Sequence, residues 1–204
     1  MSLREHFPDY FSRVPGITVY DPLAELLGAP ADGLLRYQFS DAVRLAGHAC
    51  PTVASAWLAT TRALARLYPE CLPQRGNIGV ALAESEEAGV AGVIASVAGL
   101  LTGAAGRGGF HGLGGQHRRR NLLQFGVGGV QQLRFSRHDN GQHVDCLINL
   151  SVVPGHPQTG QLLSALLAGQ ASPEQRQLFA SLWQQRVERI LCQPDDYPGL
   201  LSFA

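Results

Sequence analysis

The spacing of hydrophobic residues divides the chain into segments of helical period and segments of strand period. Val53, Trp57, Leu64 and Leu67 recur at the spacing of one helix face, with small and polar residues between them. A proline stands at each end of this segment, where a helix tolerates it. The pattern predicts a long helix over 51–68.

Strand period follows this helix. Residues 78–83 alternate branched hydrophobic side chains with small ones, and further hydrophobic runs occupy 122–125, 130–135 and 144–153. The sequence Asp-Asn-Gly at 139–141 is a turn signal and predicts a hairpin between the last two runs. We expect one face of the final strand to carry Val144, Cys146, Ile148, Leu150 and Val152.

Further helices flank the predicted strands. A segment rich in glycine and alanine predicts a closely packed helix over 89–104, and two more helices are expected at 159–168 and 173–191. The uncharged stretch 88–106 approaches the length of a membrane span. Its many glycines favour a buried helix instead, so we expect no membrane segment.

The first part of the chain is interrupted by prolines. Residues 1–39 are therefore expected to be irregular, with short helices. After them, Ser40 and Asp41 are favourable N-cap residues for a helix over 42–46, and Gly47 is a favourable stop.

The order of these elements predicts an α+β fold. A helix, a strand and a second helix are followed by a run of strands and then by helices. We expect a mainly antiparallel sheet packed against the long helix and the small-residue helix, with extra C-terminal helices. The chain is interpreted as one domain over 1–204, with an irregular segment 1–39, a core of about 40–155 and C-terminal helices at about 159–191.

Composition narrows the classes of function. Lys+Arg and Asp+Glu each total 16 in 204 residues, and this balance gives no reason to expect a nucleic-acid or anionic-membrane partner. Every basic residue is arginine, which excludes a Schiff-base lysine and a P-loop lysine. The four cysteines are scattered, and residues 1–6 contain no apolar stretch, so we expect a cytoplasmic protein with reduced thiols.

The link between the predicted helices 42–46 and 51–68 carries the most informative residues. Gly47 ends one helix and Pro51 begins the next, so His48 and Cys50 fall in the break between them. Cys50 is then the N-cap of the long helix, where the helix dipole favours a thiolate that binds metal or acts as a nucleophile. His48 supplies a second ligand or a proton acceptor. The alternative is a small buried cysteine beside a histidine that caps the preceding helix.

The segment 39–51, read as FSDAVRLAGHACP, resembles the signature of the FmdE-like family, which is named after one of the subunits of formylmethanofuran dehydrogenase. The family carries His-Gly-His-x-Cys-Pro at the start of a long helix, and the resemblance extends over roughly residues 39–150. It implies a metal-associated pocket in which His48 and Cys50 are ligands, with zinc as the expected divalent metal. The first histidine of the family signature is Ala46 in this chain.

A second informative segment is rich in glycine and arginine. Residues 106–120 contain arginines suited to a carboxylate or phosphate, beside glycines that allow backbone N–H groups to approach a ligand. Arg107 is a candidate ligand-binding residue, together with Thr102 in the preceding helix. His117 and His111 are weaker candidates to complete a metal site. The alternatives are a solvated surface loop and an active-site lid.

Three hypotheses of function remain open at this point. The first is a zinc-binding protein with an open coordination position and a small anionic ligand held by Arg107 or by arginines 118–120. The second is a metal-free enzyme with Cys50 as nucleophile and His48 as base. The third is a non-enzymatic accessory subunit. The small-residue helix favours close backbone packing and a homo-oligomer such as a homodimer. The acidic run 84–87 is a separate candidate, and it is either solvated or catalytic.

Overall fold

The structure, a computed structural model, describes residues 5–204; residues 1–4, which enter the expectations for the N-terminal segment, lie outside it. The helices are α1 (Pro22–Leu27), α2 (Phe39–Ala46), α3 (Pro51–Leu67), α4 (Ala91–Thr102), α5 (Thr159–Leu167) and α6 (Pro173–Cys192). The strands are β1 (Ile17–Tyr20), β2 (Leu34–Tyr37), β3 (Ile78–Leu82), β4 (Leu123–Gln124), β5 (Leu133–Arg137), β6 (His143–Ile148) and β7 (Leu201–Phe203). Short 3₁₀ helices occupy Asp9–Arg13, Leu150–Val152 and Pro194–Asp196.

The larger sheet has five strands in the order β4-β3-β5-β6-β7. Only β3 and β4 run parallel, with Val80 opposite Leu123, and every other pair is antiparallel. A parallel pair needs a long crossover, and here the chain between the two strands contains α4 and the glycine- and arginine-rich loop. The predicted α+β fold with a mainly antiparallel sheet is confirmed.

Helix α3 is the centre of the core. Most of its 17 residues are buried, and Trp57 and Leu64 are 1% and 0% exposed. It packs against β5 and β6 of the sheet on one side and against α4 and α6 on others. Alanines such as Ala59 and Ala63 are fully buried along it, and their small size lets the neighbouring helices approach.

Two expectations at element level are wrong. Residues 1–39 are not irregular throughout, because β1 and β2 form an antiparallel pair there, with Ile17 opposite Tyr37. The strand predicted over 144–153 ends at Ile148, and Leu150 and Val152 lie in a 3₁₀ helix instead. The Asn149 side chain explains this break, since it accepts a hydrogen bond from the Ser151 backbone N–H at 3.1 Å.

The start of α2 also differs from the expectation. The helix begins at Phe39, with Gln38 rather than Ser40 or Asp41 as its N-cap. Asp41 instead accepts a hydrogen bond from the Gln38 backbone N–H at 2.8 Å, as part of a capping box. The predicted stop is confirmed, because Gly47 adopts the left-handed conformation with a φ of 75°.

The glycine- and alanine-rich segment forms α4, which has 12 residues. Within residues 5–204, no helix is both long enough and apolar enough to cross a membrane. The helix packs against α2, α3 and β3, which explains why its side chains are small.

Candidate functional site

The link between α2 and α3 has the geometry expected from the sequence. Cys50 is the N-cap of α3, in an extended conformation, and its Sγ accepts a hydrogen bond from the Val53 backbone N–H at 3.4 Å. Its side chain points into the core, and the residue is only 9% exposed. The helix N-terminus therefore contacts the sulfur, but little solvent reaches it.

His48, in the same link, is exposed. Its Nδ1 lies 2.9 Å from the carbonyl oxygen of Ala46. Because a carbonyl oxygen only accepts, Nδ1 donates to it, and in the neutral form of this tautomer Nε2 carries the lone pair. A backbone carbonyl that orients a histidine in this way is typical of the outer shell of a metal ligand.

Helix α6 covers the link. Trp183 Nε1 and Gln184 Nε2 both donate hydrogen bonds to the carbonyl oxygen of Ala49, at 3.1 and 3.3 Å. These contacts hold the residue between His48 and Cys50 against the C-terminal helix. Nothing in the sequence pattern signals this covering, since it depends on where α6 packs.

The candidate metal ligands are not gathered into one cluster. Among residues 5–204, no group of three or more His, Cys, Asp or Glu side chains is placed to hold a metal ion. His111 lies in the glycine- and arginine-rich loop, where its Nδ1 is 3.1 Å from Nη1 of Arg120. His117 sits elsewhere in that loop with a φ of 56°. The structure therefore does not bring either histidine to His48 and Cys50.

The glycine- and arginine-rich loop is anchored through Arg119. This arginine is 7% exposed and donates to Asp21 Oδ1 at 2.5 Å, while Arg75 donates to Asp21 Oδ2 at 2.9 Å. Burial acts to raise the pKa of the Asp21 carboxyl. The hydrogen bond from Arg75 and the charge of Arg119 outweigh burial and hold that pKa below its ordinary value.

Two glycines make room for this anchor. A Cβ at Gly76 would lie 1.5 Å from Nη1 of Arg119, and one at Gly103 would lie 3.0 Å from the same atom. The backbone of the loop is fixed further because the N–H groups of Arg119 and Arg120 both donate to the carbonyl oxygen of Phe110. Arg119, the middle residue of the arginine run 118–120, is therefore a structural ion-pair partner of Asp21.

Thr102, a candidate ligand-binding residue, is fully buried. Its Oγ1 donates to the carbonyl oxygen of Ala98 at 2.8 Å and accepts from the Ala104 backbone N–H at 3.2 Å. Both hydrogen bonds are internal to the end of α4. The threonine thus shapes the turn that leads into the loop and does not face a cavity.

A cavity of about 990 Å³ opens beside the first part of the loop. It lies where the loop leaves α4 and where the chain returns to form β4. The lining residues are Glu86, Ala105, Gly106, Arg107, Gly108, Gly109, Asn121, Leu123, Gln124 and Phe125. Its size is within the range of cavities that hold small molecules.

Arg107 is the cation of this cavity. It is exposed and forms no ion pair with a carboxylate in the part of the chain that the structure describes. The backbone N–H groups of Gly106, Arg107 and Gly108 likewise donate to no acceptor among residues 5–204. A guanidinium and several backbone donors are therefore available at one wall of the cavity.

Glu86 and two amides supply the other polar groups. The acidic run 84–87 follows β3, and Glu86 is the member that lines the cavity. Asn121 and Gln124 line it as well, and Asn121 adopts a φ of 62°. Asparagine tolerates this left-handed conformation better than most residues, but the sequence did not single out Asn121.

Gln124 had no signal in the sequence. It faces the cavity because β4 pairs in parallel with β3, with Gln124 opposite Ala81, and a pairing of only two residues leaves no periodic pattern.

A second cavity of about 560 Å³ continues from this one along α4. The continuation passes over Ser96 and Gly99 to Leu45. The two cavities share five lining residues, which are Glu86, Ala105, Gly106, Leu123 and Phe125. Leu45 lies in the last turn of α2, which leads into His48. The groove thus runs from Arg107 toward the end of the helix that carries the link.

Comparison with the models of known protein families finds none that matches this chain. A search of curated proteins likewise finds no relative.

Proposed function

We propose that this protein binds a small anionic molecule in the cavity beside Arg107. The observation that carries the proposal is the combination, in one cavity of about 990 Å³, of an exposed guanidinium that has no ion-pair partner in residues 5–204 with the backbone N–H groups at 106–108. Carboxylates and phosphates bind to such donors through charge-assisted hydrogen bonds, and a planar guanidinium can bind them through two.

The other polar groups of the cavity restrict the ligand further. Glu86 accepts hydrogen bonds when ionised, while the Asn121 and Gln124 amides both donate and accept. A ligand that carries an anionic group at one end and a hydroxyl or amine at the other satisfies both kinds of partner. Glu86 is also the residue that could accept a proton from such a ligand, if the bound molecule reacts.

Isothermal titration calorimetry tests this proposal, with inorganic phosphate and citrate as probe anions. We expect binding to the natural chain and a loss of about tenfold or more in affinity for Arg107→Gln, because a hydrogen bond to a charged group is worth about 1.5–3 kcal/mol. Arg118→Gln is the matched control, since Arg118 is exposed in the same loop and does not line the cavity. Equal losses of affinity in both variants would mean that the anion responds only to the total charge of the loop. That result would contradict the proposal.

A second proposal retains the FmdE-like interpretation with a divalent metal, zinc, at His48 and Cys50. The supporting observation is that His48 Nδ1 is held by a backbone carbonyl, which leaves Nε2 for a metal. Two protein ligands leave coordination positions for water, for the anionic ligand, or for a residue of a second copy in a homodimer.

Elemental analysis of protein purified without a histidine tag or chelator tests the metal proposal. About one equivalent of zinc, lost in a His48→Ala/Cys50→Ala variant, would support it. Absence of metal from the natural chain, before and after titration with zinc, would contradict it and leave the anion proposal untouched. The metal-free thiol hypothesis stays a prediction, and its test is the reactivity of Cys50.

A further inference from the structure

A separate cavity of about 660 Å³ lies along one face of α3. Residues 13–17, the end of α6 and the chain that follows α6 form its other walls. Its lining includes Arg13, Val14, Trp57, Leu58, Arg62 and Leu191. This cavity and the one beside Arg107 have no lining residue in common.

The floor of this cavity is apolar. Trp57, Val14 and Leu191 are 1%, 5% and 3% exposed, and they contribute hydrophobic surface from three different elements. Burial raises the pKa of the Cys192 thiol, so this side chain stays uncharged near neutral pH. Apolar walls with a few polar groups are the usual lining of a small-molecule site.

Two arginines, Arg62 and Arg13, lie at the rim of the cavity. Arg62 donates to Asp195 through Nη2 alone, at 3.1 Å, and Asp195 is 90% exposed on its side chain. Arg13 forms an ion pair with Glu188, also through Nη2 alone. The Nε and Nη1 donors of both guanidinium groups have no protein acceptor within the described residues. An exposed ion pair contributes little, so a ligand carboxylate can take the place of Asp195.

We propose that this cavity binds a monocarboxylate with an apolar body, such as a medium-chain fatty acid or an aromatic acid. The carboxylate pairs with Arg62 at the rim, and the apolar body lies on Trp57, Leu58 and Leu191. The arginine suits the carboxylate because its planar fork offers two parallel N–H groups. The apolar body gains free energy because its methylene or ring groups leave water. This site is independent of the anion site at Arg107, which has a polar lining.

Isothermal titration calorimetry with octanoate and its uncharged analogue 1-octanol tests the proposal. We expect Arg62→Gln to weaken octanoate binding about tenfold and to change octanol binding by less than about twofold, since only the carboxylate uses the guanidinium. Ala65→Phe should abolish binding of both probes, because Ala65 is exposed on α3 and lines the cavity. Arg118→Gln is the control and should leave both probes unaffected, because Arg118 is exposed and lines neither cavity.

The proposal is overturned if the natural chain binds neither probe, if Arg62→Gln weakens both probes equally, or if Ala65→Phe leaves octanoate binding intact. It is also overturned if Arg107→Gln removes octanoate binding, which would place that ligand in the other cavity. Circular dichroism checks that Ala65→Phe is folded; if it is not, the comparison of octanoate with octanol in Arg62→Gln decides alone. None of these outcomes depends on phosphate or citrate binding at Arg107.

Discussion

The link 47–51 and the loop 105–109 both follow a helix that ends at a left-handed glycine, yet their surroundings are opposite. In the link, Cys50 is turned into the core and α6 covers the neighbouring carbonyl group of Ala49. In the loop, Arg107 is exposed beside a large cavity, and the neighbouring backbone donors are free of protein acceptors in residues 5–204. In the link, the Cys50 sulfur and the Ala49 carbonyl group have protein partners, whereas in the loop the guanidinium of Arg107 and the neighbouring backbone donors have none among residues 5–204.

This difference arises from what each region packs against. The loop stays open because its far end is held by the ion pair of Arg119 with Asp21, which fixes the backbone without filling the cavity. The link is closed because the long C-terminal helix lies over it. A ligand site therefore depends on an anchor placed beside it, as much as on the residues that touch the ligand.

The largest effect is expected from removing the anchor. Asp21→Asn leaves Arg75 and Arg119 without their carboxylate, and an uncompensated buried charge costs about 3–5 kcal/mol of unfolding free energy. Urea denaturation measures this loss. The matched control is Asp195→Asn, whose partner Arg62 is at the surface and whose loss should be at most about 1 kcal/mol. Equal losses in the two variants would mean that Asp21 does not anchor the loop.

The same anchor predicts a dependence of stability on pH. Because the folded pKa of Asp21 lies below its unfolded value, the stabilisation is complete above the unfolded pKa of about 3.9. It is lost as the pH falls through the lower folded pKa. The difference in unfolding free energy between the natural chain and Asp21→Asn should therefore shrink in acid. A difference that stays constant from about pH 7 to about pH 3 would contradict the lowered pKa.

A smaller effect is expected on the alkylation rate of Cys50 in the link 47–51. Cys71 is exposed and Cys50 is buried, so iodoacetamide should modify Cys50 at least about tenfold more slowly, as followed by mass spectrometry. Cys146 should react slowest, because burial raises its pKa to about 12.

Trp183→Ala removes the cover from the link and should raise the rate at which iodoacetamide modifies Cys50. Reaction of Cys50 as fast as Cys71 in the natural chain would favour the thiol hypothesis over a closed link.

The smallest effect is expected at the open loop. Arg107→Gln removes no side-chain hydrogen bond or ion pair among residues 5–204, so the unfolding free energy should change by less than about 0.5 kcal/mol, although anion affinity is expected to fall. Thermal unfolding without ligand measures this. A large destabilisation would show that Arg107 supports the fold and would remove the argument for a ligand.

The sequence pattern predicts much of the fold, because helical and strand periods depend on local spacing. Helix α3 and strand β3 lie where their spacing placed them. Strand β7 was missed, since Leu201–Phe203 is short and pairs with β6 from a distant part of the chain. At the candidate site, the glycine-rich segment indicated Arg107 as a candidate, and its ligand-binding role stays a prediction. Gln124 and the cover from Trp183 had no such local signal, because both depend on tertiary packing.

Hydrogen exchange followed by NMR, with and without phosphate, tests most directly whether the loop rather than the link is the ligand site. We expect phosphate to slow exchange at the backbone amides of Gly106, Arg107 and Gly108 in the natural chain. We expect no such change in Arg107→Gln and none at residues 48–50. Protection that appears at 48–50 and not at 106–108 would contradict an anion site in the loop and place the ligand at the link.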